Sequence, residues 1–165
     1  MQLSFLRLDQ QHLEPAFEVI IASRMALAQN GIDQWDEVYP NKEHIHTDII
    51  NGHAFGGFIG GDLVAYVAIN DWADPEYDRV NWSFHVPSLI VHRLVVHPMH
   101  QGKGLAKQMM HNIYDFARGN EYNSIRLDAF CVNEVSNKLY ESLGYKNAGT
   151  IMLRKGKFFC YEIGI

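Results

Sequence analysis

The sequence predicts a mixed α/β fold in which one domain, residues 1–165, contains a mixed central sheet of about six to seven strands flanked by about four helices. The first reason is the length, because 165 residues suit one domain of ordinary size. The second is the composition, with 47% hydrophobic and 20% charged residues, as in an average globular protein. The third is the pattern. Segments with strand-like and helix-like spacing of apolar residues follow one another, and no repeat or linker divides the chain.

The first half of the chain predicts an opening strand, two helices and a hairpin. Asp9 is a suitable N-cap for the first helix, along which apolar residues recur at helical spacing until Asn30-Gly31. The pair Gly60-Gly61 is typical of a hairpin turn between two strands. In chain order, the predicted elements are strand 3–8, helix 10–29, helix 41–51, strand 53–59 and strand 62–69.

The second half begins with a long connection at 71–88, and a connection of this length in a compact domain is often functional. The nearly continuous apolar segment that follows is typical of a central strand covered on both faces. Gly144 is expected to end the last helix, and Lys155-Gly156 to form the tip of a closing hairpin. The predicted elements are strand 89–96, a helix from the glycine segment to about 118, strand 124–130, helix 134–143, and strands 148–154 and 158–164.

The charge balance and the N-terminus limit the classes of function. Fourteen Lys and Arg against nineteen Asp and Glu give a net charge of −5, which argues against a nucleic-acid partner because that binding depends on Lys and Arg at phosphates. The longest apolar run, residues 63–69, is too short to cross a bilayer, and the N-terminus lacks the features of a signal peptide. Cys131 and Cys160 are too few for a disulfide scaffold. We therefore expect a cytoplasmic protein without a membrane partner.

One short segment, residues 95–106, is basic and carries glycines inside this acidic chain. Gly102 and Gly104 can adopt backbone angles that other residues avoid, and they allow a ligand close to the backbone. The helix that follows would direct its free N–H groups and the positive end of its dipole at an anion, and Lys103 and Lys107 add positive charge. The spacing fits neither a Walker loop nor a dinucleotide fingerprint. The glycines alone thus leave two alternatives, a pyrophosphate site or a tight turn that caps the helix.

Two segments of the chain resemble the GCN5-related N-acetyltransferase (GNAT) family. Gln101-x-x-Gly104-x-Ala106, at the end of a predicted strand, is similar to the acyl-CoA pyrophosphate signature Arg/Gln-x-x-Gly-x-Gly/Ala of that family. Residues 133–145, NEVSNKLYESLGY, resemble the family pattern Asn-x-x-Ala/Ser-x-x-Leu-Tyr-x-x-x-Gly-Phe/Tyr at the usual distance downstream. The resemblance spans about 89–145 and implies the GNAT fold. Ala106 stands in place of a glycine, a replacement that the family tolerates.

The resemblance implies an N-acetyltransferase, an acyltransferase that moves acetyl directly from acetyl-CoA, its cosubstrate, to a primary amine. The backbone of strand 89–96 would pair with pantetheine, and the glycine segment would hold the pyrophosphate. Tyr140 matches the tyrosine that is proposed to protonate the leaving thiolate, with packing in the core as its alternative role. The cofactor-binding residues that the resemblance implies are Leu94, Val95, Val96, Gln101, Gly102, Lys103, Gly104, Leu105, Ala106, Asn133, Ser136 and Lys138.

The reaction also needs a neutral amine. An ammonium with a pKa of ~10.4 is neutral in about one molecule in 2,500 at pH 7, so a general base has to remove its proton. His92 is the first candidate, because some members of the family place a histidine on this strand that acts through water. A two-residue period would put His92 on one face with Leu94 and Val96, and Arg93 on the opposite face, where we expect it to pair with a carboxylate. The alternative for His92 is a buried, hydrogen-bonded histidine.

In the family, the acceptor binds between the first two helices and the loop before the central strand. The corresponding segments of this chain are residues 30–39 and 71–88. Both mix aromatic and acidic residues, and Tyr77 belongs to the second segment. Carboxylates with aromatic faces suit a cationic amine, from a small molecule or a peptide. The substrate-binding candidates are Trp35, Asp33 and Trp72. The alternative is that Trp35 packs under a loop and that the acids are solvated.

Three further expectations complete the prediction. His97 and His100 follow no known ligand spacing, so we expect no metal, and solvated or helix-capping roles for both side chains. A homodimer is left open. The second hypothesis for function is a catalytically degenerate member that binds acyl-CoA as a sensor or interaction module.

Overall fold

The computed structural model describes residues 1–165 as two compact units, the first with 1–69 and 92–112 and the second with 70–91 and 113–165. Four α-helices are present, namely α1 (Leu13–Gln29), α2 (Lys42–Ile50), α3 (Leu105–Gly119) and α4 (Glu134–Ser142). The strands are β1 (Ser4–Arg7), β2 (Ala54–Ile59), β3 (Asp62–Asn70), β4 (Ser88–Val96), β5 (Ser124–Phe130), β6 (Lys146–Leu153) and β7 (Gly156–Gly164). They form a seven-stranded sheet in the order β1-β2-β3-β4-β5-β7-β6. The predicted element order and the mixed α/β class are confirmed.

A few boundaries differ from the prediction. The helix expected from residue 10 begins as a 3-10 turn over Gln10–His12, so its α-helical part starts at Leu13. The tip of the closing hairpin is Arg154-Lys155, because Gly156 already belongs to β7. The 71–88 connection contains a short 3-10 helix over Pro75–Arg79. None of the helices combines the length and the hydropathy needed to cross a bilayer.

The sheet contains antiparallel and parallel pairs. β1, β2 and β3 are antiparallel within the first unit, and β5, β7 and β6 are antiparallel within the second. β4 pairs with β5 in parallel, with Ser88–Ile90 opposite Ser124–Arg126. Because side chains alternate along a strand, Ser88, Ile90 and Arg126 lie on one face of this pair.

The core of the first unit is an apolar cluster that includes one face of α1. The buried residues of that helix recur every three or four positions, as expected of a helix that covers a core on one side. Trp35 is among the half-buried side chains that pack on the cluster. The buried members are Leu8, Ala16, Val19, Ile20, Ile45, Ile49, Ala54, Tyr66 and Val95.

A buried ion pair joins α2 to β4 within the first unit. The side chains of Asp48 and Arg93 are only 6% and 12% exposed, and Nε and Nη2 of Arg93 donate to the two carboxylate oxygens at 3.0 and 2.5 Å. Nη1 of Arg93 donates to the hydroxyl of Tyr39 at 2.8 Å, and the hydroxyl of Tyr66 donates to Asp48 at 2.6 Å. Burial by itself would lower the pKa of Arg93, but Tyr39 and Asp48 outweigh it and raise that pKa, so the guanidinium stays charged. The expected pairing of Arg93 with a carboxylate is confirmed.

Arg93 also has a left-handed backbone, with a φ of 57° in the middle of β4. This conformation costs a residue with a side chain about 1–2 kcal/mol, and the network around the guanidinium offsets that cost. The left-handed residue interrupts the extended backbone between His92 and Leu94. The predicted shared face of His92, Leu94 and Val96 assumed an unbroken two-residue period and stays a prediction.

Within the second unit, two carboxylates on neighbouring strands hold the 71–88 connection. Glu162 of β7 is 1% exposed and accepts hydrogen bonds from the N–H groups of Ser83 and Phe84, at 2.6 and 3.3 Å. Tyr77 is 3% exposed and donates its hydroxyl to Asp128 of β5 at 2.7 Å. The connection thus has fixed positions although it contains little regular structure.

We expect Asp48→Asn to lower the free energy of unfolding by about 3–5 kcal/mol, because the substitution leaves the Arg93 guanidinium buried without a counter-charge. Chemical denaturation followed by circular dichroism measures this change. Asp115→Asn is the matched control: it removes an aspartate that pairs with Arg118 at 3.0 Å, but both side chains are 67% exposed. The control should cost about 0–1 kcal/mol. Similar losses in the two variants would contradict the role given to the buried pair.

Candidate active site

The glycine segment in the first unit has the backbone that the sequence predicts. Gly102 and Gly104 each have a φ of 75°, and a Cβ built at either position meets no atom within 4 Å. α3 begins directly afterwards at Leu105, and a helix leaves its first N–H groups without partners inside the helix. Leu105 is 1% exposed, so its side chain anchors the helix and only its backbone is suited to a ligand. The segment therefore combines open space with unpaired donors, which suits an anion such as a pyrophosphate.

Side chains of the first unit close this segment onto the end of β4. Nε2 of Gln101 donates to the carbonyl oxygen of Val96 at 2.9 Å, and the hydroxyl of Ser23 donates to the same oxygen at 3.3 Å. Val96 is one of the residues predicted to pair with pantetheine, but its carbonyl oxygen is already engaged. Pantetheine would thus need other backbone groups of this segment. The side chain of Gln101 thus links the loop to the end of the strand by a hydrogen bond.

His97 and His100 flank the same segment, and His97 has the capping role that was expected for it. Its Nδ1 accepts a hydrogen bond from the N–H of Met99 at 3.2 Å, which caps the short 3-10 helix Pro98–His100. No group of three or more His, Cys, Asp or Glu side chains is arranged to hold a metal ion.

The second unit carries the other predicted cofactor residues at the start of α4. Asn133 is 6% exposed and is the N-cap of that helix, where its Oδ1 accepts a hydrogen bond from the N–H of Ser136 at 3.2 Å. Ser136 is half-buried, whereas Lys138 is exposed and its Nζ lies 3.6 Å from Glu134. The motif asparagine therefore has a structural task, which is to start the helix that carries Tyr140.

Tyr140 is 7% exposed and lies among other tyrosines of the second unit. Its ring centroid is 6.0 Å from that of Tyr145 and 5.7 Å from that of Tyr161. Burial raises the pKa of Tyr140 well above its usual range, and the charges of Asp128 and Tyr161 add to the shift. At neutral pH the hydroxyl is therefore protonated, which is the state that a proton donor requires.

Asp128 is a candidate catalytic residue that the sequence did not reveal. Burial raises the pKa of this aspartate to about 6, the hydrogen bond from Tyr77 lowers it in part, and the charge of Asp74 raises it further. A carboxylate with a pKa close to neutral is suited to accept a proton under physiological conditions. The sequence signal was weak, since Asp128 is one of three polar residues that alternate with apolar residues along β5.

The candidate general base from the sequence, His92, is half-buried in β4 next to the left-handed Arg93. It belongs to the first unit, whereas Tyr140 and Asp128 belong to the second. The catalytic role of His92 stays a prediction.

The predicted acceptor residues differ in their surroundings. Trp35 packs on the apolar cluster of the first unit, which is the packing role given as its alternative, whereas Asp33 is exposed. In the second unit Trp72 is 59% exposed, but Tyr77 is buried under the connection and bonded to Asp128. The hydroxyl of Tyr77 is therefore used inside the fold, and its ring packs against Trp82 with 5.3 Å between the centroids.

The chain belongs to the GNAT family of acetyltransferases. A model of the acetyltransferase (GNAT) family matches residues 24–145, which is most of the chain and includes both sequence motifs. The family inferred from Gln101–Ala106 and from residues 133–145 is therefore confirmed, and with it the fold class.

Known proteins agree with this assignment. The chain is 29% identical over 121 residues to the N-alpha-acetyltransferase RimI of Mycobacterium tuberculosis, a match that covers 72% of this chain and 66% of that protein. Its fold matches a GNAT-family acetyltransferase of Streptococcus agalactiae with a TM-score of 0.86 and 25% identity, over 99% of this chain and 95% of the other. It also matches the PaiA N-acetyltransferase of Thermoplasma acidophilum, solved in complex with coenzyme A, with a TM-score of 0.76 and 17% identity over 100% of both chains. Among three of the curated relatives, the matching segment spans between 22% and 66% of the relative's length.

We expect Gly104→Ala to weaken the binding of coenzyme A by roughly tenfold or more, because alanine resists the positive φ and its methyl group occupies the open space. Isothermal titration calorimetry measures the change. Gly60→Ala is the matched control, since Gly60 has a φ of 57°, lies in the turn between β2 and β3, and would also leave an added Cβ with nothing within 4 Å. Both variants should lose about 1–2 kcal/mol of stability, but only Gly104→Ala should lose affinity. Equal affinities in the two variants would show that the segment is merely a turn.

Proposed function

We propose that the chain is an acetyl-CoA-dependent N-acetyltransferase that transfers acetyl directly to a primary amine of a small molecule or a peptide. The observation that carries the proposal is that a buried aspartate with a raised pKa and the tyrosine of the family motif lie together in the second unit of a GNAT-family chain. Tyr140 is kept protonated, and Asp128 has a pKa of about 6. The relatives named above act as N-acetyltransferases, which supports transfer to nitrogen.

The residues of the first unit are suited to hold acetyl-CoA. Gly102 and Gly104 leave open space beside backbone N–H groups at the start of α3, which suits the pyrophosphate. When bound, acetyl-CoA supplies a thioester whose carbonyl carbon is open to attack by an amine. The exposed Lys103 adds positive charge beside the loop.

Asp128 and Tyr140 then divide the proton transfers. Asp128 accepts a proton from the acceptor ammonium, so that the nitrogen lone pair can form the new N–C bond. As the C–S bond breaks, the electron pair goes to sulfur and Tyr140 donates its proton to that thiolate. The second proton that the nitrogen loses on forming the amide then returns to the Tyr140 oxygen. Each residue has the protonation state at neutral pH that its role requires.

Incubation with acetyl-CoA and a panel of amines, with thiol release as the readout, tests the proposed function. We expect Tyr140→Phe to lower kcat by about 10²-fold or more, since the substitution removes the proton donor but keeps the ring. Tyr145→Phe is the matched control, because its hydroxyl is buried and has no hydrogen-bond partner. This control should retain turnover.

Two results would contradict the proposal. Full turnover in Tyr140→Phe would exclude the acid role. Binding of acetyl-CoA without thiol release over the whole panel would favour the alternative of a degenerate member that only senses acyl-CoA.

The pH dependence distinguishes the two candidate bases. A base has to be deprotonated to act, so we expect kcat/KM to rise with pH through an apparent pKa near 6 and to level off above it. Asp128→Asn should abolish this rise and lower kcat/KM by about 10²–10⁴-fold. His92→Gln is the matched comparison and should keep the rise. If the rise disappears in His92→Gln and persists in Asp128→Asn, His92 is the base.

A further inference from the structure

The second unit contains a cavity of about 470 Å³ beside the connection before β4. Residues of that connection form one side, and Ser88, Ile90 and Arg126 of the paired strands β4 and β5 form another. A volume of this size is within the range of cavities that bind small molecules. Its lining combines apolar side chains with three charged ones, namely Asp71, Asp78 and Arg126.

Arg126 is the cation of the cavity, and one of its donors has no partner. Its guanidinium lies over the ring of Trp82, 4.6 Å from the centroid, and Nη2 donates to the carbonyl oxygen of Phe84 at 2.8 Å. Nε is buried and makes no hydrogen bond. Stacking on a flat ring and a bond to the backbone fix the guanidinium, which lines the cavity in one orientation.

Glu162 does not act as the partner of the Arg126 guanidinium. It is opposite Arg126 in the register of β5 and β7, but its two oxygens accept hydrogen bonds from Ser83 and Phe84. No ion pair forms between the two side chains. An anionic oxygen from a ligand in the cavity would form a charge-assisted hydrogen bond with the guanidinium.

The cavity adjoins the candidate base. Tyr77 lines it, and the hydroxyl of Tyr77 donates to Asp128 at 2.7 Å. Arg126 and Asp128 are two residues apart on β5, so they lie on one face of the strand with about 7 Å between their Cα atoms. A ligand that binds the guanidinium of Arg126 is therefore close to Asp128 as well.

The other charges of the lining are acidic. Asp71, which accepts a hydrogen bond from the hydroxyl of Tyr122, and the exposed Asp78 both line the cavity. A purely anionic ligand would meet two carboxylates against one guanidinium. A ligand that carries an ammonium together with a carboxylate complements both signs.

We propose that this cavity binds the acceptor, and that the acceptor is a primary amine that also carries a carboxylate. The carboxylate binds the guanidinium of Arg126, and the amine is directed to Asp128. This inference rests on the proposed function and names its substrate class. An acidic amino acid and a short peptide with an acidic side chain near its N-terminus offer the same chemistry.

The experiment compares matched acceptors with and without the carboxylate. One pair is glutamate α-amide and glutamine α-amide, which differ only in the side-chain carboxylate, and the other is a C-terminally amidated tetrapeptide with aspartate as its second residue and the same amidated peptide with asparagine. We expect the carboxylate member of one pair to have a kcat/KM higher by about tenfold or more. The pair that shows the preference identifies the source of the carboxylate.

Arg126→Gln should abolish this preference by lowering kcat/KM for the carboxylate member alone, with the Kd of coenzyme A unchanged. Arg118→Gln is the matched control, since it removes the same charge from an exposed arginine of α3 that does not line the cavity. The control should keep the preference. No preference in the unaltered protein, or a preference that survives in Arg126→Gln, would overturn the inference.

A second variant covers the case in which Arg126→Gln does not fold. Ala73→Leu fills part of the cavity and leaves Arg126 in place, so it should raise KM for the preferred acceptor without changing the Kd of coenzyme A. An unchanged KM would overturn the inference.

The inference and the proposed function fail in different ways. If amines that lack a carboxylate are acetylated as efficiently as those that carry one, the proposed function stays intact and the inference is removed. If no amine is acetylated, the proposed function fails, and calorimetric titration of the same acceptor pairs still tests the cavity. Binding of a carboxylate member that is lost in Arg126→Gln would then support the inference, and equal or undetectable binding of the two members would overturn it.

Discussion

The ion pair between Arg93 and Asp48 is the interaction on which the first unit depends most. Arg93 has a left-handed backbone inside β4, which a residue with a side chain adopts only when its surroundings fix it. Asp48 holds the Arg93 side chain by accepting two hydrogen bonds from it, and both side chains are buried. The residues on either side, His92 and Leu94, belong to the segment assigned to catalysis and to the cofactor. The path of that segment is thus decided by a carboxylate 45 positions away in the chain.

In the second unit, one physical cause gives two residues opposite roles. Burial disfavours the charged form of any acid, so it raises the pKa of Asp128 and of Tyr140 together. An aspartate with a pKa raised to about 6 is still largely ionised at neutral pH and can accept a proton. A tyrosine with a pKa raised above its usual range remains protonated and can donate one. The same environment therefore leaves Asp128 able to accept a proton and Tyr140 protonated, which are the states that the proposed function requires.

The site residues that the sequence predicts are defined by themselves or by their neighbours in the chain. The site residue that the sequence missed is defined by a residue far away in the chain. Gly102 and Gly104 could be found because their requirement for a positive φ is a property of the residues themselves. Asn133 could be found because the family motif that contains it is a run of consecutive residues in the chain. Asp128 could not, because its pKa depends on Tyr77, which is 51 positions away. Tyr77 was assigned to an exposed acceptor loop for the same reason.

The sequence by itself determined the order of helices and strands, the glycine segment before α3 and the family to which the chain belongs. These features follow from spacing, caps and turns, which involve residues that are neighbours in the chain. Only the tertiary structure decided the left-handed turn of β4, the burial of Tyr77 and the unpaired Nε of Arg126. Each of these features depends on which groups, distant from one another in the chain, are buried side by side. A pattern of residue types in one chain does not contain that information, because burial is a property of the packed structure.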